Sequence, residues 1–357
     1  MAGGKTFDEK PHVGNTVRFD EGKGAMAAPP RRGSSLCGRR GFITGMLASG
    51  TLVATADLPV PATEPACLPF PCKTPRSYLS LGYQHIHIGL PRPFSVLHIS
   101  DTHLAITAEA DPPDKVAFAK KRNEGFGGNQ ARALAHSLAW AKDNADYVIH
   151  TGDLIDFQTV GNLDFVRKCF GTEKGRLAAS MGNHEYQRRQ DGERPKPTPE
   201  YNALSVKTLA EAFPFDINLQ STVVHGVNFV TMSQVYGLVS EEQVERFRAE
   251  RAKGLPIILC MHVPFATEHI RRATSKFWGR SKKFRQVDAP KPHGDALRQE
   301  SDPVTRAFVA DLRKEPLLKG ILAGHLHFDV QDRFSPTAME YVVGGNFLYR
   351  GQEILFT

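Results

Sequence analysis

The run Val148-Ile149-His150-Thr151-Gly152-Asp153-Leu154-Ile155-Asp156 carries the densest chemical signal in this chain. An apolar, strand-like stretch ends in a glycine and two carboxylates three positions apart. Carboxylates gathered at the end of a buried strand are hard oxygen ligands, which fits a metal site rather than a core. Gly-Asp by itself is also ordinary turn chemistry. Four more fragments add weight: Asp101-Thr102-His103, Gly182-Asn183-His184-Glu185, His262 behind the apolar run Ile257–Met261, and Gly324-His325-Leu326-His327. Each supplies Asp, Asn or His just past an apolar run. Singly each has a bland reading. Asp-Thr-His is close to noise, Asn-His also caps helices, and a lone His-x-His at a strand end is often structural. A two-metal hydrolase, however, needs hard and borderline ligands converging from several strands, with one carboxylate bridging the ions.

The elements that must position these groups follow from local pattern. Ser95–Ser100 reads as a strand delivering Asp101 and His103. Residues 105–128, rich in Lys, Gly and Pro, read as a long structureless connection, of the kind that forms functional loops or lids. Asn129 is expected to cap a helix bearing Leu134, Leu138 and Ala141, giving a βαβ unit with the strand before Gly152. A short helix near 163–170 and a strand at 177–181 lead to Asn183 and His184. A helix over 202–213 and a hairpin turning at His225-Gly226 follow. Ser240 and Gln243 form a capping box. The strand Pro256–Met261 ends at His262, and the strand Lys319–Ala323 ends at His325 and His327. Asp302-Pro303 opens the intervening helix. Two closing strands, near 338–343 and 351–357, are expected to pair through Tyr349-Arg350-Gly351.

In order and spacing the five fragments resemble the calcineurin-like metallophosphoesterase superfamily, from about Phe94 to the C-terminus. The resemblance implies an α/β fold, a four-layer α/β/β/α sandwich of two mixed sheets with a dinuclear metal site at the strand ends. It implies two divalent or trivalent transition-metal ions (Mn, Fe or Zn). The first would take Asp101, His103, Asp153 and His327; the second Asp153, Asn183, His262 and His325. Asp153 bridges. The implied reaction is hydrolysis of a phosphate mono- or diester, by in-line attack of a metal-bridging hydroxide. His184 would stabilise or protonate the leaving oxygen, and Asp156 would orient His184. Purple acid phosphatases carry Tyr where Asp156 stands, and protein Ser/Thr phosphatases carry Arg-Gly where Phe157-Gln158 follow, so the broad bacterial-type group remains. The other histidines on strand-like runs, His85, His87, His98, His150 and His225, read as structural or surface residues.

Composition narrows the partners. The chain has 357 residues, 41% hydrophobic and 23% charged, with net charge +7. Up to Ala56 the leader holds eight basic and four acidic residues, leaving only about +3 on the rest. That distribution does not favour nucleic acid, and a small phosphorylated substrate is the expected partner. A metal-dependent nuclease and a non-catalytic interaction module on the same fold are the competing readings. A basic, aromatic stretch, 271–285, reads as a loop that walls the substrate site or as a solvated loop.

The leader, 1–56, includes a disordered segment to residue 36; Met26 is an alternative start. Arg39-Arg40, Phe42, a short Gly- and Thr-rich apolar run and Ala54-Thr55-Ala56 resemble a twin-arginine export signal with cleavage after Ala56. Export to the periplasm or beyond is expected, with a cytoplasmic location the alternative. Six prolines make 57–77 a stiff linker, and the metallophosphoesterase domain runs over 78–357. Cys67 and Cys72 pair in an oxidising compartment or stay as two thiols. Cys260, inside an apolar run, reads as a buried thiol.

Overall fold

Strand β3 (Phe94–Ile99) shows how the sequence builds the layers. All six residues are buried. Phe94 and Val96 join a cluster with Tyr147, Ile149, Phe229, Ile258 and Cys260, whereas Leu97 and Ile99 join a different one with Leu134, Trp140 and Phe165. Successive side chains point to opposite faces, so a strand apolar on both faces must be covered on both. The computed structural model describes residues 53–57, 78–173, 175–188, 199–234, 237–278 and 299–357.

Two six-stranded sheets provide that covering. The first holds β1 (Val53–Asp57), β2 (Tyr78–Ile86), β3, β4 (Tyr147–His150), β5 (Leu177–Ala179) and β12 (Arg350–Phe356), in the order β1-β2-β12-β3-β4-β5. The second holds β6 (Leu219–Val224), β7 (Val227–Met232), β8 (Ile257–Cys260), β9 (Leu318–Ala323), β10 (Val330–Arg333) and β11 (Met339–Val342), in the order β10-β11-β9-β8-β7-β6. β3, β4 and β5 run parallel, as do β7, β8, β9 and β11; the remaining pairings are antiparallel except β2 with β12. Both sheets are therefore mixed.

The sheets pack face to face through the Phe94–Val96–Phe229–Ile258 cluster. Helices α2 (Gln130–Asn144), α3 (Val160–Thr172) and α4 (Pro199–Ala212) cover the outer face of the first sheet, through Leu134, Phe170 and Leu209 among others. Helices α5 (Glu241–Arg251) and α7 (Pro303–Leu312) cover the second, through Phe247, Phe308 and Leu312. This is the four-layer α/β/β/α sandwich. Cys260 lies wholly buried between the sheets, where burial pushes its thiol up. No helix among the described residues is long and apolar enough to cross a membrane.

Several local expectations are met by specific bonds. The Ser240 side chain accepts the Gln243 amide while the Gln243 side chain accepts the Ser240 amide. Asp302 accepts the Thr305 amide ahead of Pro303. The hairpin turns at His225 (φ 48°) and Gly226 (φ 85°).

Others need correction. The connection after β3 is not structureless: α1 (Pro113–Gly125) occupies much of it. Its residues are largely polar and show no apolar stripe, so periodicity is silent, although Pro113 sits at a favoured first helical position. Asn129 stands at the start of α2 without a side-chain cap bond; its Oδ1 accepts the Tyr349 hydroxyl instead. The described part of 271–285 is helical, belonging to α6 (Glu268–Trp278), and the rest lies outside the described residues. The two closing strands do not pair. β11 joins β9 and β10, and the chain then crosses through a 3₁₀ turn (Asn346–Leu348) and a left-handed Tyr349 (φ 62°) to insert β12 between β2 and β3. Two extended runs around a glycine imitate a hairpin, and nothing local signals a change of sheet. β10 went unread in the sequence.

Arg39-Arg40, Phe42, Cys67 and Cys72 lie outside the described residues. Across the end of the leader and the first linker residue, Val53–Asp57 forms an edge strand pairing antiparallel with β2, so a cut after Ala56 falls inside β1.

Candidate metal centre

The predicted ligands come from the C-terminal ends of five parallel strands: β3, β4 and β5 in one sheet, β8 and β9 in the other. Strand ends facing one crevice are the usual site position in α/β sheets. Beyond β3 and β4 the backbone ladder continues irregularly. The Asp101 amide donates to the Gly152 carbonyl (3.0 Å), that of His103 to Asp153 (2.8 Å), and that of Asp156 to Leu104 (2.8 Å). The first two motifs are thus laced together before any side chain is considered. The fourth and fifth join them: the Gly324 amide donates to the His262 carbonyl (3.0 Å), and the His325 amide donates to Asp101 Oδ2 (2.8 Å).

The glycines of the motifs are explained by crowding. A Cβ on Gly152 would lie 2.7 Å from the Gly182 nitrogen and 2.8 Å from His262 Nδ1, and its φ is +88°. A Cβ on Gly324 would overlap the Ser100 hydroxyl and crowd Asp101. Ligand loops can approach this closely only without side chains there.

Backbone strain marks the same residues. Among the described residues seven non-glycines have positive φ, and five are predicted ligands: Asp101 (53°), His103 (53°), Asp153 (54°), His325 (69°) and His327 (61°). Each such conformation costs on the order of 1–3 kcal/mol and persists where surroundings enforce it. The other two, His225 and Tyr349, belong to the turns already described.

The side chains form two clusters. Asp101, His103 and His327 make one and Asp153, His262 and His325 the other, while His103 also groups with Asp156 and His184 beside the first. In the first, His103 Nε2 lies 3.1 Å from His327 Nε2, and His327 Nε2 lies 3.3 Å from Asp101 Oδ1. In the second, His262 Nε2 lies 3.2 Å from His325 Nδ1 and 3.2 Å from Asp153 Oδ2. Asp153 Oδ2 also lies 3.7 Å from His103 Nε2, so one carboxylate oxygen faces both clusters. Asn183 Oδ1 is buried and has no hydrogen-bond partner. A buried amide oxygen without a donor costs stability unless something electropositive meets it.

Tautomers follow from the partners. The Thr151 carbonyl can only accept, so His262 Nδ1 at 2.7 Å carries a proton and Nε2 is the position where a proton or a metal ion would bind. Asp156, acting as carboxylate, accepts His103 Nδ1–H at 3.0 Å, which turns the His103 Nε2 lone pair inward. Such outer partners are what fix ligand imidazoles. The donor set, two oxygen-and-imidazole groups sharing Asp153, fits two transition-metal ions.

The electrostatics agree. Burial alone would raise the Asp101 and Asp153 carboxyls, yet His327 beside the first and His262 beside the second hold both well below the usual range. Burial alone would lower the imidazoles. Hydrogen bonds to Asp101 and Asp156 push His103 up to about 10, and Asp153 pushes His262 up to about 9. The carboxylates draw positive charge, for which protons and metal ions compete at the same lone pairs.

His184 stands beside the first cluster, its ring 4.6 Å from that of His103. Its amide donates to Asp153 Oδ1 (2.9 Å), and its Nδ1 lies 2.9 Å from the Asp156 carbonyl and 3.0 Å from Asp156 Oδ1. Nδ1 therefore carries a proton and Nε2 faces away, on a side chain 21% exposed. Asp156 thus contacts both His184 and His103.

Two contributors went unread in the sequence. Glu185 was noted only as part of its motif. Its wholly buried carboxylate accepts the amides of Gly182, Asp153, Leu154 and Ile155 at 2.6–3.2 Å, binding the second and third motifs together. An acidic residue directly after Asn-His was the available signal. Arg122, on α1, grips Asp156 and lay in a stretch read as loop. His150 and His98, by contrast, are neutral supports: burial drives both down to about 3. His150 Nε2 bonds Thr102 Oγ1 (2.9 Å), and Thr102 donates to Asn346 (3.1 Å). Trp278 ends α6 with its ring 6.1 Å from His327, and Phe347 lies 5.3 Å from the same imidazole.

A model of the family described as calcineurin-like phosphoesterase matches residues 94–329. The chain belongs to that family. A search of curated proteins finds no match. Among solved structures, the chain is similar to a dimetal phosphatase from Danio rerio (14% identity, 71% of this chain and 88% of that one, TM-score 0.41). It is also similar to PhoD (11%, 76% and 60%, 0.43) and to the phosphopantetheinyl hydrolase PptH of Mycobacterium tuberculosis (13%, 71% and 90%, 0.35). At these scores the likenesses carry no argument about activity.

Proposed function

We propose that the chain is a dinuclear-metal-dependent hydrolase of phosphate esters. Asp101, His103, Asp153 and His327 would hold one ion; Asp153, Asn183, His262 and His325 the other. When bound, such ions polarise phosphoryl oxygens and lower the pKa of water. The observation that carries the reading is Asp153 Oδ2, which faces imidazole nitrogens of both clusters at 3.2 and 3.7 Å.

The chain's own residues supply the rest. His184, its Nδ1–H fixed by Asp156, presents Nε2 as the donor to the leaving oxygen, at the edge of the site open to solvent. Glu185 and the backbone ladder keep Asp153 from shifting. Small phosphorylated molecules are the substrates we favour. The rings of Trp278 and Phe347 beside His327 favour esters whose leaving group carries a planar ring. A panel of phosphomonoesters and phosphodiesters, assayed with added Mn²⁺, tests the reading. Turnover of small esters is expected. Cleavage of oligonucleotides alone would make the chain a nuclease, and no turnover with both ions bound would make it an interaction module. We further propose that the protein acts outside the cytoplasm, on the strength of Arg39-Arg40 ahead of a short apolar run.

A further inference from the structure

Helix α1 lies across the first two ligand loops. Lys115 Nζ donates to the Gln158 carbonyl (2.7 Å), and Asn123 Nδ2 donates to the Ala105 carbonyl (2.9 Å). From its last turn Arg122 extends a two-pronged guanidinium to Asp156. Nε–H donates to Oδ2 at 2.5 Å and an Nη2–H to Oδ1 at 2.7 Å. Asp156 is 1% exposed, and its Oδ1 also meets Nδ1 of His103 and of His184, each at 3.0 Å. One residue beyond the helix, Phe126 stacks on the His103 imidazole, with centroids 4.6 Å apart and planes 17° apart. The Arg122 guanidinium covers the Phe126 ring at 4.8 Å. Arg122, Asp156, His103 and Phe126 thus form a closed circuit around one imidazole.

We propose that Arg122 is a positioning residue for the metal centre: by fixing the Asp156 carboxylate it sets His103 for metal binding and His184 for proton donation. This rests on the function proposed above. A carboxylate held by a single donor can rotate about its last torsion, and a bidentate fork fixes its plane. Only with that plane fixed does Oδ1 serve both imidazoles. A buried carboxylate also needs a lasting cation, and Arg122 remains charged whatever proton His184 gains or loses. Two of the guanidinium N–H groups are spent on Asp156, which sets Arg122 apart from a side chain held free for phosphate.

The test is metal binding, independent of catalysis. Metal-stripped full-length protein, the Arg122→Gln variant and the Arg122→Lys variant are titrated with Mn²⁺ by calorimetry, and KM and kcat are then measured on loaded protein. Arg122→Gln is expected to weaken Mn²⁺ binding by about 10–100-fold, the usual loss for an outer partner of a ligand histidine. Loaded with excess Mn²⁺, it should lose kcat with KM little changed. Arg122→Lys keeps the charge but not the fork and should recover part of the loss. Unchanged Mn²⁺ affinity with raised KM would make Arg122 a substrate contact and overturn the proposal. Unchanged affinity, KM and kcat with lowered Tm would reduce it to a structural residue, with the same consequence. If Arg122→Gln does not fold, Arg122→Lys decides by the same readouts. Parent protein that binds two ions yet hydrolyses nothing defeats the function proposed above, while the titration still judges Arg122.

Discussion

Asp153 and His184 are neighbours for which separable duties are proposed. Asp153 Oδ2 faces both imidazole clusters, whereas His184 reaches the site through Nε2, away from the ligand nitrogens. Asp153→Asn or His262→Ala should therefore lower metal content and activity together. His184→Ala should keep both ions and slow turnover by about 10²–10⁴-fold, the usual range for a positioned acid. The loss should be steepest for leaving groups of high pKa. Metal analysis beside rate measurement on each variant checks this; a His184→Ala protein stripped of metal would make His184 a ligand. Asp156→Asn should lower both quantities, because Asp156 contacts His103 as well as His184. That double contact was not legible in the sequence. Motif order picks out the candidate ligands, but how one carboxylate is shared depends on loops that meet only in the folded chain.

Strand ends were legible because an apolar run followed by Asp, Asn or His is a local pattern, and β3, β4, β8 and β9 all obey it. Helix α1 and the route of β12 were not. α1 is held by side-chain bonds to Ala105 and Gln158 and by a small contact of Phe118 and Ala119 with Ala105 and Phe157, too short to show as an apolar stripe, and β12 is assigned to its sheet by partners more than 200 residues away. A second element-level feature is Glu340 on β11. It is wholly buried, accepts the Phe265 amide at 2.7 Å, and is pushed up to about 8 by burial, against that amide and Arg313. Its folded pKa lies above its unfolded one, so the folded state binds the extra proton. The stabilisation is full below about pH 4.5 and is lost as pH rises toward 8, on the order of a few kcal/mol. Glu340→Gln should flatten this slope and be relatively more stable at pH 8. Denaturant titrations at pH 5 and 8 check it; identical slopes in both proteins would show that Glu340 does not carry the dependence.

Across the whole molecule, sheet pairing and the proposed export signal meet at β1. Val53–Asp57 pairs with β2 at the sheet edge, and the expected cleavage after Ala56 falls within it. Replacing Arg39 and Arg40 by Lys should retain the protein in the cytoplasm, as read by a reporter fusion; equal export of both forms would remove the twin-arginine reading. Intact mass of exported protein then shows whether the first strand leaves with the leader.

A paired metal site built on Asp153 underlies the proposed chemistry. Elemental analysis of protein reconstituted with excess Mn²⁺ and desalted tests it most directly. Two ions per chain are expected for the parent, and fewer than one for Asp153→Asn, since both sites lose the shared oxygen. One ion or none in the parent, or two retained in Asp153→Asn, would contradict it.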